Sequence, residues 1–304
     1  MRFHEVGLRD GLQIESTIVP TDRKIRWAEQ SAAAGMDILQ LGSFVHPGKV
    51  PQMADTDVLF RTLGPRKSGL NGPLYSGLVL NEKGLERGLA CGVEMFCMGV
   101  SAGETHSRKN TGMSVDEALK RITAMAREAA AAGKIVQASV QSAFGCGFDG
   151  PIPESRVLDI VRAYLEAGIR AVSLADTAGH AHPAQVVRLF RAVQELDPGV
   201  ETAAHFHNTY GLGLANVWAA FEAGVTTFES AFGGLGGCPF TKTAAGNVAT
   251  EDLIHMFQRM GFRPDIRCDG LVELARDVAR FFSRELPGLV YRTGPLDFPR
   301  RTDS

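Results

Sequence analysis

The run Ala171-Val172-Ser173-Leu174-Ala175-Asp176, then residues 183–196, then Glu201-Thr202-Ala203-Ala204-His205-Phe206 decides the fold. The two outer runs are short and apolar and read as strands, while the segment between them carries the amphipathic period of a helix. Pro183 stands where a proline at the first helical position is tolerated. A strand, a helix and a second strand in this order make a parallel pair joined by a crossover.

The same alternation runs along the whole chain. Strand candidates lie near 3–7, 37–41, 75–80, 94–100, 135–140, 171–176, 201–206 and 226–231, and amphipathic segments at 21–34, 82–90, 114–132, 153–167, 183–196 and 213–223. Ser114-Val115-Asp116-Glu117 places a capping serine three residues before a glutamate, and Pro153, like Pro183, is expected at a helix start. The Gly, Pro and Lys content of 64–73 reads as loop. Eight strand–helix repeats without a break in composition predict a single α/β domain over 1–304. It would be a (β/α)8 TIM barrel over about 1–262 with a C-terminal helix at 268–286 and a tail. A doubly wound sheet is the alternative, but no G-x-G-x-x-G opens a helix after the first strand.

Composition sets the outer limits of function. With 304 residues, 44% hydrophobic and 22% charged content and a net charge of -2, the chain carries no electrostatic footprint for nucleic acid. A local basic patch at Arg108 and Lys109 could hold a phosphate, and Lys83 separately is a candidate phosphate contact, although each alone reads first as solvated surface charge. Five cysteines, at 91, 97, 146, 238 and 268, lack the close pairing of a zinc module and fit reduced thiols in a cytoplasm. The N-terminus has no apolar leader and no stretch approaches a membrane span, so a cytoplasmic location is expected.

In a parallel barrel the chemistry belongs at the C-terminal ends of the strands, and polar residues gather there. Arg9 and Asp10 follow the first strand, Asp176 and Thr177 end the sixth, and His205 and His207 end the seventh. Alternate residues of a strand share a face, so the two imidazoles can reach one ion. Past the eighth strand come Gly233-Gly234-Leu235-Gly236-Gly237-Cys238 and then Gly246-Asn247. Asp10, His205, His207 and Asn247 together supply carboxylate, imidazole and amide donors, a mixed set that suits a borderline or hard divalent ion. Arg9 beside it suits a developing enolate. Cys238 on its glycine loop suits acid–base work over the substrate. Asp176 reads equally as a helix N-cap. His180 and His182 repeat the H-x-H spacing but sit in a loop, where nothing fixes both on one face.

Glu5 to Gln13, Gly42-Ser43-Phe44-Val45 with Val50-Pro51-Gln52-Met53, Asp176-Thr177, His205 to Asn216 and Gly233 to Asp252 together resemble the 3-hydroxy-3-methylglutaryl-CoA lyase family. This family sits among metal-dependent barrel lyases and Claisen-type synthases. The resemblance implies cleavage of 3-hydroxy-3-methylglutaryl-CoA, or a related 3-hydroxyacyl-CoA, to acetyl-CoA and a ketoacid, as in leucine catabolism. It implies Asp10, His205, His207 and Asn247 as ligands of Mg or Mn, with Zn or Co as further options. Arg9, Cys238, Asp176 and His205 are the implied catalytic groups, and Gln13, Gln40, Ser43, Ser173 and Thr177 the substrate contacts. A homodimer is also implied.

The chain departs from the family at Gln40, which stands where the family usually has glutamate. An amide cannot act as a base and can only orient its neighbours by hydrogen bonds. Asn208 replaces a frequent aspartate, and Ser101-Ala102-Gly103-Glu104-Thr105-His106 differs from the usual serine-rich loop. These changes bear on which acyl group is accepted. The alternatives are a synthase or aldolase of the same superfamily, which the Cys238 loop argues against, and a catalytically silent barrel that binds metal or acyl-CoA.

Overall fold

In a computed structural model the described residues are 1–64, 72–237 and 246–296. Eight parallel strands close in sequence order: β1 Arg2–Glu5, β2 Ile38–Ser43, β3 Leu74–Leu78, β4 Met95–Ser101, β5 Ile135–Gln141, β6 Ala171–Asp176, β7 Glu201–Phe206 and β8 Thr227–Ser230. β8 pairs with β1 from Arg2↔Thr227 to Glu5↔Ser230, which seals the barrel. All eight expected strands are present, and closure removes the exposed edges that an open sheet would carry.

The helices are α1 Thr21–Ala34, α2 Thr56–Leu63, α3 Glu82–Ala90, α4 Glu104–Thr111, α5 Val115–Ala131, α6 Glu154–Glu166, α7 Pro183–Leu196, α8 Gly213–Glu222, α9 Thr250–Arg259, α10 Cys268–Phe282 and α11 Val290–Thr293. Ser114 and Glu117 form the anticipated capping box at the start of α5. Pro183 opens α7, whereas Pro153 stands one place earlier than expected, as the N-cap of α6. The region ahead of 64–73 holds α2, which buries Leu59 and Phe60. Its Leu59, Phe60 and Leu63 follow a helical period, but two turns are a short window in which to read one. Residues 65–71 lie outside the described part. α4 escaped the sequence for another reason: its residues are polar throughout, so no apolar stripe marks it.

The C-terminal helix ends at Phe282 rather than 286, because Ser283 turns left-handed at φ 51°. α10 packs on α1. Fully buried Trp27 of α1 meets Phe281 edge-on at 5.6 Å, and its indole N–H donates to Asp277 at 2.8 Å. Burying a side chain of this size stabilises by about 2–3 kcal/mol, so α10 ties the last part of the fold to the first.

Inside the barrel, Ile38, Met95 and Cys97 form a small apolar cluster separate from the main core. The main core lies between strands and helices, with Phe3, Phe228 and Phe257 in mutual contact. Many other inward-facing strand residues are polar, among them His4, Gln40, Ser76, Gln137 and Glu229, all buried. A polar interior costs several kcal/mol unless its groups are paired, and their partners define the site.

Candidate active site

After β1 the backbone tightens into one π-helical turn, Gly7–Gly11, in which Val6 O accepts from Asp10 N at 2.8 Å and Gly11 N at 3.3 Å. Such local departures from regular helix are frequent at functional sites. Here the turn brings Arg9 and Asp10 to the edge of a cavity of about 440 Å³ at the C-terminal mouth. His205 and His207, two residues apart at the end of β7, line the same cavity.

Asn247 arrives by a longer route, well beyond the end of β8. Its segment returns to the end of β7, where Asn208 N donates to Gly246 O at 2.9 Å and Val248 N to Phe206 O at 3.1 Å, with His207 and Asn247 in an antiparallel bridge. Gly236 makes the close approach possible. It holds φ +100°, and a Cβ there would lie 2.6 Å from Asn247 Nδ2 and 3.0 Å from Asp10 O.

The four groups converge. His205 Nε2 and His207 Nε2 are 3.1 Å apart, and Asp10 Oδ2 lies 3.8 Å from the first and 3.5 Å from the second. Asn247 Nδ2 donates to Asp10 Oδ2 at 2.8 Å, while its Oδ1 is buried with no partner. Two imidazole nitrogens at 3.1 Å require a proton between them or a cation before them. Among the described residues Asp10, His205 and His207 form the one cluster of acidic, histidine or cysteine side chains able to hold a metal ion, and all three are buried. The orphaned Asn247 oxygen, an acceptor beside the cluster, fits a divalent ion as well. Burial opposes ionisation of Asp10, but Arg9 and the two histidines overcome it and hold the carboxyl well below its usual range.

Arg9 is fixed on two sides: its Nε donates to Gln40 Oε1 and its Nη1 to Asp10 Oδ1. Gln13 Nε2 donates to the same Asp10 oxygen at 2.9 Å. The departure at Gln40 thus bears on Arg9 directly. The amide holds the guanidinium without neutralising it.

Of the expected substrate contacts, Gln13, Gln40, Ser173 and Thr177 line the cavity, and Ser173 Oγ is buried without a partner. Ser43 is buried away from it. Asp176 is fully buried and also lies off the cavity, its two oxygens accepting from His180 N at 2.8 Å and Ala181 N at 3.0 Å. Burial pushes its carboxyl up, and these amides only partly offset that. Its carboxylate organises the loop after β6, close to the helix-cap alternative. Cys238 lies outside the described residues, although Gly237 just before it lines the cavity. His180 packs against the Tyr210 ring, tilted, with centroids 6.0 Å apart, and His180 and His182 join no metal cluster among the described residues. Arg108 pairs with Glu104 at 2.7 Å, and Lys109 lies over the Phe148 ring at 4.6 Å.

His106 reads in the sequence as a loop histidine more at home on the surface than on substrate; instead α4 buries it and carries it, with Asn110 one turn on, to the cavity wall. Asn110 and Glu229 went unread. Glu229 of β8 accepts from Gln137 Nε2 at 2.6 Å and pairs with His205 Nδ1 at 2.9 Å. Burial is outweighed there by the His205 hydrogen bond and the charges of His205, His4 and Arg9, which hold Glu229 at about 2. Its one available signal was a lone carboxylate inside a strand.

The chain matches the HMGL-like family over residues 1–278. It is 36% identical to a hydroxymethylglutaryl-CoA lyase of Bacillus subtilis across 93% of both chains. It is 34% identical to an (R)-citramalyl-CoA lyase of Chloroflexus aurantiacus across 96% of this chain and 94% of the other. An HMG-CoA lyase structure from Acinetobacter baumannii, in complex with coenzyme A and 3-methylmalate, is similar at TM-score 0.90 and 37% identity, over 100% of this chain and 96% of that one. A closed eight-stranded barrel, a buried Asp–His–His cluster beside an arginine, and kinship over nearly the full length agree: the chain belongs to the HMGL-like family.

Proposed function

We propose that the protein is a divalent-metal-dependent carbon–carbon lyase that cleaves 3-hydroxy-3-methylglutaryl-CoA, or a closely related 3-hydroxyacyl-CoA, to acetyl-CoA and a ketoacid. The observation that carries this is the convergence of Asp10, His205 and His207 beside Arg9 in one cavity at the barrel mouth. Asp10, His205, His207 and Asn247 hold the ion, and the oxygen-bearing members favour Mg or Mn. Bound there, the ion supplies Lewis acidity to the substrate hydroxyl.

The bond between C2 and C3 breaks, the 3-hydroxyl becomes a ketone, and the electron pair passes to C2 as the enolate of acetyl-CoA. Gln40 and Asp10 occupy two donor groups of Arg9, which leaves Nη2 for the thioester oxygen where that charge collects. The hydroxyl proton passes to the water of the open cavity, and Cys238 returns one proton to C2, so the overall proton count balances. Gln13, Ser173 and Thr177 orient the acyl group, and Asp176 shapes the loop that brings Thr177 to it. The reading extends to a cytoplasmic homodimer acting in leucine catabolism. Cys91, Cys97, Cys146 and Cys268 are all free and buried, which supports a reducing compartment.

The test is release of acetyl-CoA by purified protein with Mg2+ or Mn2+, from a panel containing 3-hydroxy-3-methylglutaryl-CoA, citramalyl-CoA and longer homologues. Consumption of acetyl-CoA with a 2-oxoacid instead would mark a synthase. Metal binding without turnover of any thioester would mark a silent barrel.

A further inference from the structure

We propose that Glu229 is a positioning residue that sets the tautomer of His205, turning its Nε2 lone pair toward Asp10 and His207. The inference rests on the metal-site reading above. His205 and Glu229 are register partners on the adjacent strands β7 and β8, so the glutamate lies beside the imidazole rather than below it. Glu229 Oε2 lies 2.9 Å from His205 Nδ1. With Gln137 donating to Oε1, Oε2 faces Nδ1 as an acceptor, so the neutral ring carries its proton on Nδ1 and keeps Nε2 for an ion.

The glutamate is itself held from the opposite wall of the barrel. Gln137 Nε2 of β5 donates to Oε1 at 2.6 Å, which leaves Oε2 for the histidine. His4 Nδ1 stands 3.8 Å from the same Oε1, and its Nε2 pairs with Ser76 Oγ at 2.8 Å. Glu229 lines the cavity but is only 7% exposed, so these partners hold most of its carboxylate away from water. A carboxylate behind a metal-bound imidazole fixes ring orientation and raises ligand basicity, and its loss typically costs 10–100-fold in metal affinity.

Glu229→Gln replaces one acceptor oxygen with a donor. If that donor faces His205, the imidazole must move its proton to Nε2 and can no longer ligate; if it faces Gln137, two amide donors collide until Gln137 flips. Glu229→Asp keeps the charge but shortens the reach by one methylene. Both variants are predicted to bind Mn2+ about 10–100-fold more weakly in calorimetry, with turnover partly restored at saturating Mn2+. In the metal-free parent, 15N NMR of the histidines should find His205 protonated at Nδ1, a readout that needs no variant to fold. Mn2+ affinity within twofold of the parent in both variants, or a neutral parent His205 with its proton on Nε2, overturns the inference. A parent that binds no Mn2+ overturns the metal-site reading itself, and this inference with it.

Discussion

Glu251, in the first turn of α9, is a fully buried carboxyl whose Oε2 accepts from Gly233 N at 3.0 Å and whose Oε1 has no partner. Burial, reinforced by the charge of Asp252, raises it from 4.5 to about 8, so it keeps its proton at neutral pH. In the unfolded chain the same group ionises near its ordinary value. Between those two pH values the folded state holds a proton that the unfolded state has released, so unfolding free energy falls as pH rises. The stabilising difference is complete below pH 4.5 and is lost on passing upward through about 8. At about 1.4 kcal/mol per pH unit, the gap from 4.5 to about 8 caps the effect at about 5 kcal/mol, of which about 3 kcal/mol has developed by pH 7. Glu251→Gln mimics the protonated form and does not titrate. Its unfolding free energy, measured by urea denaturation in EDTA at pH 5, 6, 7 and 8, is expected to gain steadily on that of the parent as pH increases. His4, which burial drives down to about 4, titrates alike in both proteins and cancels from the difference. A difference between variant and parent that is constant across the series, or that shrinks with pH, refutes the reasoning.

Arg9→Met removes the donor assigned to the thioester oxygen and is expected to lower kcat about 10²–10³-fold with Mn2+ saturating; a loss under fivefold would remove Arg9 from the chemistry. Gly42→Ala puts a Cβ 2.4 Å from Thr56 Oγ1, which is itself committed to Ser43 O and Met53 O, so urea denaturation should show a loss of about 1–3 kcal/mol. Mn2+ at about 100 times its Kd should raise the unfolding free energy of the parent by about 2.7 kcal/mol. His207→Ala should abolish that increment, and an undiminished one would place the ion elsewhere.

The barrel was readable because its signal is local and repeated. Each strand announces itself as a short apolar run and each long helix by its 3.6-residue period, whatever lies across the sheet. Where the stripe is only two turns long, as in α2, or absent, as in all-polar α4, the helix stays hidden in the sequence. The same logic divides the site. Strand alternation put His205 and His207 on one face, and position after β1 put Arg9 and Asp10 at the barrel mouth. No local pattern shows that Asn247 reaches Asp10 by bridging back to the end of β7, or that Asp176 is taken up by the loop amides of His180 and Ala181. Nor does any reveal Glu229 behind His205, braced by Gln137 from the far wall. Sequence by itself determined the strands, their order and the residues at their ends, because backbone geometry sets which way neighbouring side chains point. Tertiary structure alone decided which buried polar groups became partners, since that depends on strand register and barrel closure between residues far apart in the chain.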